Sequence, residues 1–124
     1  MILHYLATPY SKYPGGIEAA YRLACEQTAL LIRSGVAVFS PIAHTHGVAV
    51  HGRIDPLDHT IWIPADKPFM DVCGAIIMLR AEGWEESYGM AVEMKAFRAA
   101  RKPVLWMDPG VVPRASLERP LFQK

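Results

Sequence analysis

The sequence predicts an α/β protein built on a parallel sheet with helices on both faces. Short apolar segments alternate along the chain with longer segments of helical periodicity. Each apolar segment ends in turn residues, and a helical segment follows before the next one begins. This alternation implies right-handed crossovers between parallel strands. In such sheets the ligand crevice lies beyond the C-terminal ends of the strands.

The first half of the chain holds two predicted strands and one helix. Residues 2–7 are a short apolar strand, ended by the turn residues Thr8-Pro9-Tyr10-Ser11. A glycine-containing loop leads into a helix that ends at Ser34-Gly35, a typical glycine C-cap. Residues 36–39 form the second strand, which Ser40-Pro41 stops. The apolar face of the helix repeats at steps of three and four, through Ile17, Ala20, Tyr21, Ala24, Thr28 and Leu31.

The second half begins with a segment that has no clear period. Residues 42–64 hold four of the five histidines and are interpreted as a loop. A helix over 66–73, a strand over 75–79, a helix over 86–101 and a strand over 104–107 follow. The tail after Asp108 is expected to hold only a short helix, because it carries Pro109, Pro113 and Pro120.

Composition limits the class of protein. The 124 residues predict one domain spanning 1–124, with an ordinary 52% of hydrophobic residues. A net charge of +1 with dispersed charges argues against a nucleic-acid polymer or a membrane surface as partner. Cys25 and Cys73 lie in apolar runs, which fits a reducing compartment. Neither a leader nor a membrane-spanning run is recognised, so we expect a cytoplasmic location.

Glu93 is the first candidate for chemistry. Its neighbours three and four positions away on the predicted helix are Gly89, Met90, Ala96 and Phe97, so no helical salt-bridge partner is available. A carboxylate on an apolar helix face near the ligand edge is unfavourable unless it has a use. The competing interpretation is a glutamate that reaches solvent or binds a distant arginine.

Asp66 and the start of the last helix are further candidates. Asp66 stands in a sequence typical of a helix N-cap followed by a first-turn proline, so structural and catalytic roles are both open. Ser87-Tyr88-Gly89 begins the helix that bears Glu93, where free N–H groups suit an anion; a serine N-cap explains the same residues. We expect Asp66 near Glu93, because both would lie at helix starts beside the third strand.

The histidine-rich segment is a candidate metal site. His44, His46, His51 and His59, with Asp55 and Asp58, offer nitrogen and oxygen ligands, but their spacing matches no common zinc pattern. We therefore predict no metal, and expect this segment to line a substrate pocket or a subunit interface; plain surface histidines are the alternative.

Aromatic side chains are expected to stack on a planar ligand. Tyr10, Trp62 and Trp84 lie in segments predicted at the crevice, although Trp62 could equally pack the core or a subunit contact. The glycines match neither nucleotide-binding loop motif, and no Gly-x-Ser-x-Gly elbow is present, so Ser/His/Asp catalysis is unsupported.

Taken in order, these residues resemble the nucleoside 2-deoxyribosyltransferase superfamily, which includes the deoxynucleoside-monophosphate N-glycosidases. The resemblance covers about residues 3–107, and the Trp within 83–87 indicates an uncharacterised bacterial branch. Its motifs are Tyr5-Leu6-Ala7 with Pro9-Tyr10-Ser11, Phe39-Ser40-Pro41, Asp66 with Met70, Cys73-Gly74-Ala75-Ile76-Ile77, Ser87-Tyr88-Gly89 with Glu93, and Lys102-Pro103-Val104.

The resemblance implies a flavodoxin-like (Rossmann-like) sheet of four to five strands, no cofactor, and homo-oligomers whose subunits share active sites. It implies a small-molecule nucleoside or nucleotide as the ligand. Glu93 matches the glutamate that attacks C1′ of the sugar, and Asp66 matches an aspartate that assists the leaving base or holds the sugar. The candidate substrate-binding residues are Thr8, Tyr10, Ser11, Ser40, His44, His46, Trp62, Trp84, Ser87 and Gly89.

The sequence departs from the family pattern in three places. Tyr10-Ser11-Lys12 stands where the hydrolases carry an arginine and glycines, Ala91 replaces a glycine, and the histidine-rich segment is atypical. The unpaired Glu93 and the resemblance together nevertheless imply cleavage or transfer at an N-glycosidic bond through a covalent glycosyl intermediate. The alternatives are a non-catalytic nucleotide-binding or interaction protein of the same fold and a metallohydrolase that uses the histidines.

Overall fold

A computed structural model of the protein describes residues 1–118. Four strands alternate with four α-helices, and a short 3₁₀ helix, η1, follows the last strand. In chain order they are β1 (His4–Ala7), α1 (Ile17–Arg33), β2 (Val38–Phe39), α2 (Pro41–Gly52), α3 (His59–Val72), β3 (Ala75–Leu79), α4 (Tyr88–Ala99), β4 (Val104–Met107) and η1 (Arg114–Leu117).

The strands form one parallel sheet in the order β2-β1-β3-β4. Tyr5 in β1 pairs with Phe39 on one side and with Ile76 on the other. The chain leaves β1 to form β2 on one side of it and returns later to form β3 on the other side. The direction in which strands are added to the sheet therefore reverses between β1 and β3. This is the flavodoxin-like switch point, where the crevice of such sheets opens. The predicted α/β fold is confirmed.

Two hydrophobic clusters cover the two faces of the sheet, because successive side chains of a strand point to opposite faces. On one face Tyr5 and Ile76 pack with Met70 of α3 and Phe97 of α4. On the other face Leu6 and Ile77 pack with Leu31 of α1. The sheet is therefore sandwiched between helices, as its uniformly buried strands β1 and β3 require.

Helix α1 agrees with the pattern that predicted it. Its buried residues are Ala20, Ala24 and Leu31, all on the predicted apolar face. At its end Gly35 has a φ of 88°, a left-handed conformation that favours glycine, and its N–H donates to the carbonyl of Ile32.

The prediction of a loop over 42–64 is wrong, since α2 and the first part of α3 lie there. Helix α2 starts at a serine cap, where Ser40 Oγ accepts from the N–H of Ala43 at 3.2 Å. Periodicity missed this helix because its polarity is inverted: His46 is buried, whereas Val48 and Val50 are exposed.

Asp66 is not a helix N-cap, which corrects a second prediction. Helix α3 begins seven residues earlier, where Asp58 Oδ1 accepts from the N–H of Thr60 at 3.0 Å. Pro64 and Pro68 both lie inside the helix. A proline in the interior of a helix costs about 3 kcal/mol of stability. Local sequence patterns therefore predict a helix that starts near Pro68. The longer helix requires packing against the rest of the fold. At its C-terminal end, the Lys102 Nζ donates to the carbonyls of Met70 and Asp71 at 3.1 and 2.9 Å.

The remaining elements differ little from the predictions. Helix α4 begins at Tyr88 rather than at 86, because Ser87 is its N-cap. The tail holds the short η1, and Pro120 lies outside the described residues. Among residues 1–118, none of the helices combines the length and apolar character needed to cross a bilayer.

Candidate active site

A cavity of about 790 Å³, including its open mouth, lies at the C-terminal side of β1 and β3. Its walls come from β1 and the loop after it, from α2 and α3, and from the start of α4. The cavity therefore opens at the switch point of the sheet, where the ligand crevice of such folds lies.

Glu93 enters this cavity from the second turn of α4. The helix is positioned by its N-cap, where the N–H of Met90 donates to Ser87 Oγ at 3.2 Å. The Glu93 carboxylate accepts a short hydrogen bond at Oε2 from the hydroxyl of Tyr5. Tyr5 is fully buried in β1, and its ring packs on Phe97 of the same helix, with 5.6 Å between ring centroids. The central strand thus holds the carboxylate in one place.

Burial raises the pKa of Glu93 from 4.5 to about 8. The hydrogen bond from Tyr5 opposes this rise, whereas the negative charge of Asp66 adds to it. Protein surrounds the Glu93 carboxyl, although the residue as a whole keeps partial contact with solvent through the cavity. The pKa of the Tyr5 hydroxyl is raised far above its ordinary range, by burial first and then by Glu93, so this hydroxyl is a permanent donor.

Asp66 faces the same cavity from the middle of α3. Burial raises the pKa of its carboxyl to about 6. Within residues 1–118, two buried side-chain oxygens lack a hydrogen-bond partner: Asp66 Oδ1 and Thr8 Oγ1, and both residues line the cavity. A buried polar atom without a partner costs about 1–3 kcal/mol, so these two atoms are suited to a polar ligand.

Most of the residues proposed from the sequence line this one cavity. Tyr10 and Ser11 lie in the loop after β1, Trp62 lies in α3, and Ser87 and Gly89 lie at the start of α4. The side chain of Trp62 is oriented by its indole N–H, which donates to the carbonyl of Asp55 at 2.8 Å. His46 also lines the cavity, together with Thr8, Asp66 and Glu93.

Three proposed residues do not line it. The Ser40 hydroxyl is buried and caps α2. The His44 ring is exposed and lies beside Phe39 and Phe69. Trp84 packs against the core cluster that contains Tyr5, and its ring meets Trp106 edge to face at 5.5 Å. Two of these side chains are used by the fold, Ser40 as a helix cap and Trp84 in the core.

The histidines do not form one cluster. His46 is buried between Tyr10 and Glu18, with Tyr10 Oη 2.6 Å from Nδ1 and Glu18 Oε2 3.0 Å from Nε2. His59 lines the cavity, and its ring lies 4.9 Å from that of Tyr88. In the part of the chain that the structure describes, no three histidine, cysteine or acidic side chains are grouped to hold a metal ion.

Sequence reasoning missed Tyr5, which lines the cavity, and Glu18, which contacts His46 behind it. Tyr5 carries the only hydroxyl of β1, and a buried tyrosine requires a hydrogen-bond partner, so its polar end was a usable signal. Glu18 lies on α1 at the end of a loop. Nothing local distinguishes it from any other glutamate of a helix first turn.

Comparisons with known proteins agree with this fold. A comparison with curated proteins gave no match. A solved structure of a 2-deoxyribosyltransferase from the psychrotolerant bacterium Bacillus psychrosaccharolyticus is similar, with a TM-score of 0.58 and 18% sequence identity. The similarity covers 98% of this chain and 86% of that one. At this identity it shows that the two proteins share a flavodoxin-like fold. Residues 3–109 match the family described as Domain of unknown function (DUF1937), and the chain belongs to that family.

Proposed function

We propose that the protein breaks the N-glycosidic bond of a nucleoside, with Glu93 as the nucleophile. The observation that carries this proposal is a buried carboxylate held by Tyr5 in a cavity that also presents Asp66 and Thr8 with unpartnered oxygens. The fold shared with a 2-deoxyribosyltransferase supports the same class of reaction.

The reaction proceeds in two displacements. A Glu93 oxygen forms a bond to C1′ while the bond from C1′ to the base breaks, and the electron pair leaves with the base nitrogen. This gives a glycosyl ester on Glu93. Water or a second base then attacks C1′, the ester bond breaks, and the carboxylate is restored. Two inversions at C1′ give overall retention of configuration.

The burial of Glu93 favours this chemistry. Taking a carboxylate out of water is unfavourable, which is why its pKa is raised to about 8. The sugar becomes positively charged at C1′ as the base departs, and that charge stabilises the buried carboxylate. The electrostatic interaction is therefore stronger in the transition state than in the resting site, as catalysis requires. The Tyr5 hydrogen bond favours the ionised, nucleophilic form.

Other residues of the cavity suit the two parts of a nucleoside, its sugar and its base. Asp66 Oδ1 and Thr8 Oγ1 can take hydrogen bonds from sugar hydroxyls, which would satisfy both buried oxygens. Leu57, Trp62 and Ile63 form an apolar part of the wall, against which a planar base can pack.

The charges around the cavity favour an uncharged nucleoside over a nucleotide. Among residues 1–118, none of the cavity-lining side chains is a lysine or an arginine. The wall instead carries the carboxyls of Asp66 and Glu93, and the exposed Glu85 and Glu86 directly precede the start of α4. A phosphate placed there would have the helix N-terminus as its partner but would face repulsion from several acidic groups.

Released or exchanged base is the direct test. Wild type, Glu93→Gln and Glu26→Gln are incubated with nucleosides, and with their 5′-monophosphates, with and without a second base. We expect turnover of nucleosides by wild type and by Glu26→Gln, in which an exposed helical glutamate is changed. Glu93→Gln should be inactive. Absence of turnover of every nucleoside refutes the proposal and favours a binding protein; faster cleavage of monophosphates refutes the nucleoside preference.

The covalent intermediate can be detected by mass. Fluorine at C2′ destabilises the positive charge at C1′ and slows both displacements, so a 2′-fluoro nucleoside with a good leaving base allows the glycosyl ester to accumulate. We expect one added fluorosugar on the peptide that contains Glu93 in wild type and none in Glu93→Gln. A label on Asp66 instead would assign the nucleophile to that carboxylate.

A further inference from the structure

Three titratable side chains connect the outer surface of the protein with the cavity. Glu18 on α1 has a side chain that is 63% exposed, whereas that of His46 on α2 is 5% exposed. Glu18 Oε2 lies 3.0 Å from His46 Nε2, and Tyr10 Oη lies 2.6 Å from His46 Nδ1. Tyr10 and His46 both line the cavity. We call this series the Glu18–His46–Tyr10 relay.

The hydrogen positions in the relay follow from the chemistry of its ends. A carboxylate can only accept hydrogen bonds, so His46 Nε2 carries a proton and donates to Glu18. With neutral His46, Nδ1 accepts from the Tyr10 hydroxyl. With protonated His46, Nδ1–H donates to the Tyr10 oxygen, and the tyrosine proton becomes free to point into the cavity. The same heavy-atom geometry therefore serves both protonation states.

The surrounding groups hold the relay in place. The Tyr21 ring stacks on His46 at 4.3 Å with 19° between planes, and Tyr10 meets the imidazole edge to face. Arg22 approaches Glu18 at 3.9 Å on the exposed side. Burial first, and then the charge of Glu18, raise the pKa of Tyr10 to about 12, so its hydroxyl keeps its proton at neutral pH. The contact between Glu18 and His46 is sufficient to join α1 to α2. The contact between His46 and Tyr10 is not needed for that purpose, and it extends the series into the cavity.

We propose that the Glu18–His46–Tyr10 relay delivers the proton that the departing base requires, an inference that rests on the proposed function. As the bond from C1′ to the base breaks, the base nitrogen takes the Tyr10 proton and the Nδ1 proton of His46 passes to the Tyr10 oxygen. His46 is left neutral, with Nε2–H still donating to Glu18. Once the base has left, the Tyr10 oxygen takes a proton from solvent in the open cavity as its own hydroxyl proton returns to Nδ1, which restores the imidazolium while Nε2–H donates to Glu18 throughout. Tyr10 is the catalytic residue here, and His46 and Glu18 supply and position its proton.

The test compares two substrates that differ by one methyl group on the base. From 2′-deoxyguanosine the base leaves as an anion unless it is protonated, whereas from 7-methyl-2′-deoxyguanosine it leaves as a neutral molecule. General acid catalysis contributes about 10²–10⁴-fold. We therefore expect Tyr10→Phe to lower kcat/KM by about 100-fold or more on the first substrate, with little change on the second. Glu18→Gln, which keeps an acceptor for Nε2–H but removes the charge, should show a smaller loss with the same selectivity.

The possible outcomes separate the two proposals. Equal losses on both substrates in Tyr10→Phe, or no loss on either, overturn the relay while the proposed function stands. Glu26→Gln on the same helix is the matched control for Glu18→Gln and should be unchanged on both substrates. If wild type cleaves neither substrate nor any other nucleoside, the proposed function fails and the relay fails with it.

Discussion

Replacing Glu93 by glutamine should remove a pH-dependent loss of stability that no exposed glutamate produces. Burial raises the pKa of the Glu93 carboxyl from 4.5 to about 8, so the folded protein holds this proton more tightly than the unfolded chain does. A raised carboxyl pKa contributes stability that is fully present below the unfolded value. That contribution is lost as the pH rises through the folded value. The wild-type protein should therefore become less stable up to about pH 8, and Glu93→Gln should lack the part of this loss that Glu93 causes.

The magnitude follows from the two pKa values. At about 1.4 kcal/mol for each pH unit, the interval from 4.5 to about 8 corresponds to about 5 kcal/mol of unfolding free energy. The partial exposure of Glu93 to the open cavity makes this an upper bound. Asp66, whose pKa is raised from 3.8 to about 6, loses its own contribution at lower pH. The loss by which wild type exceeds Glu93→Gln between about pH 6.5 and pH 9 therefore comes from Glu93, and it should be about 2 kcal/mol.

Urea unfolding followed by tryptophan fluorescence measures this difference, because the chain contains three tryptophans and the transition midpoint reports stability at constant slope. Wild type, Glu93→Gln and the exposed control Glu26→Gln are compared at both pH values. We expect a loss in wild type and in Glu26→Gln, and little loss in Glu93→Gln. An equal loss in all three proteins would refute the assignment of a buried, high-pKa carboxyl to Glu93.

Two further predictions concern the supports of the site. Tyr5→Phe removes the hydrogen-bond donor to the Glu93 carboxylate. A hydrogen bond to a charged group is worth about 1.5–3 kcal/mol. The acidic limb of the pH–rate profile should therefore move to higher pH by about 1–2 units. An unmoved profile would contradict this role. Gly83→Ala should destabilise the fold by about 1–3 kcal/mol, because Gly83 has a φ of 88° and a Cβ there would lie 2.3 Å from a backbone carbonyl of the loop after β1. Gly52→Ala, where a Cβ meets nothing within 4 Å, is the control in thermal unfolding, and equal effects would contradict the steric argument.

Local sequence patterns were sufficient for the order of most elements. Buried strands of a parallel sheet are continuous apolar runs, so β1 and β3 could be recognised from composition alone. Helix α1 has an apolar stripe with a glycine C-cap, signals that depend only on residues a few positions apart. Glu93 could be selected in the same way, because its missing salt-bridge partner is a property of its own helix.

The tertiary structure decided what depends on residues far apart in the chain. Tyr5 and Glu93 are 88 positions apart, and His46 meets Glu18 across 28 positions, so no local period could indicate either contact. Packing against the rest of the fold extends α3 through two prolines and thereby turns Asp66 from an expected helix cap into a cavity wall. Local sequence patterns reflect the stability of single helices and strands, whereas a site forms where several helices and strands meet. Only the sheet order, which places β1 beside β3, brings those elements together.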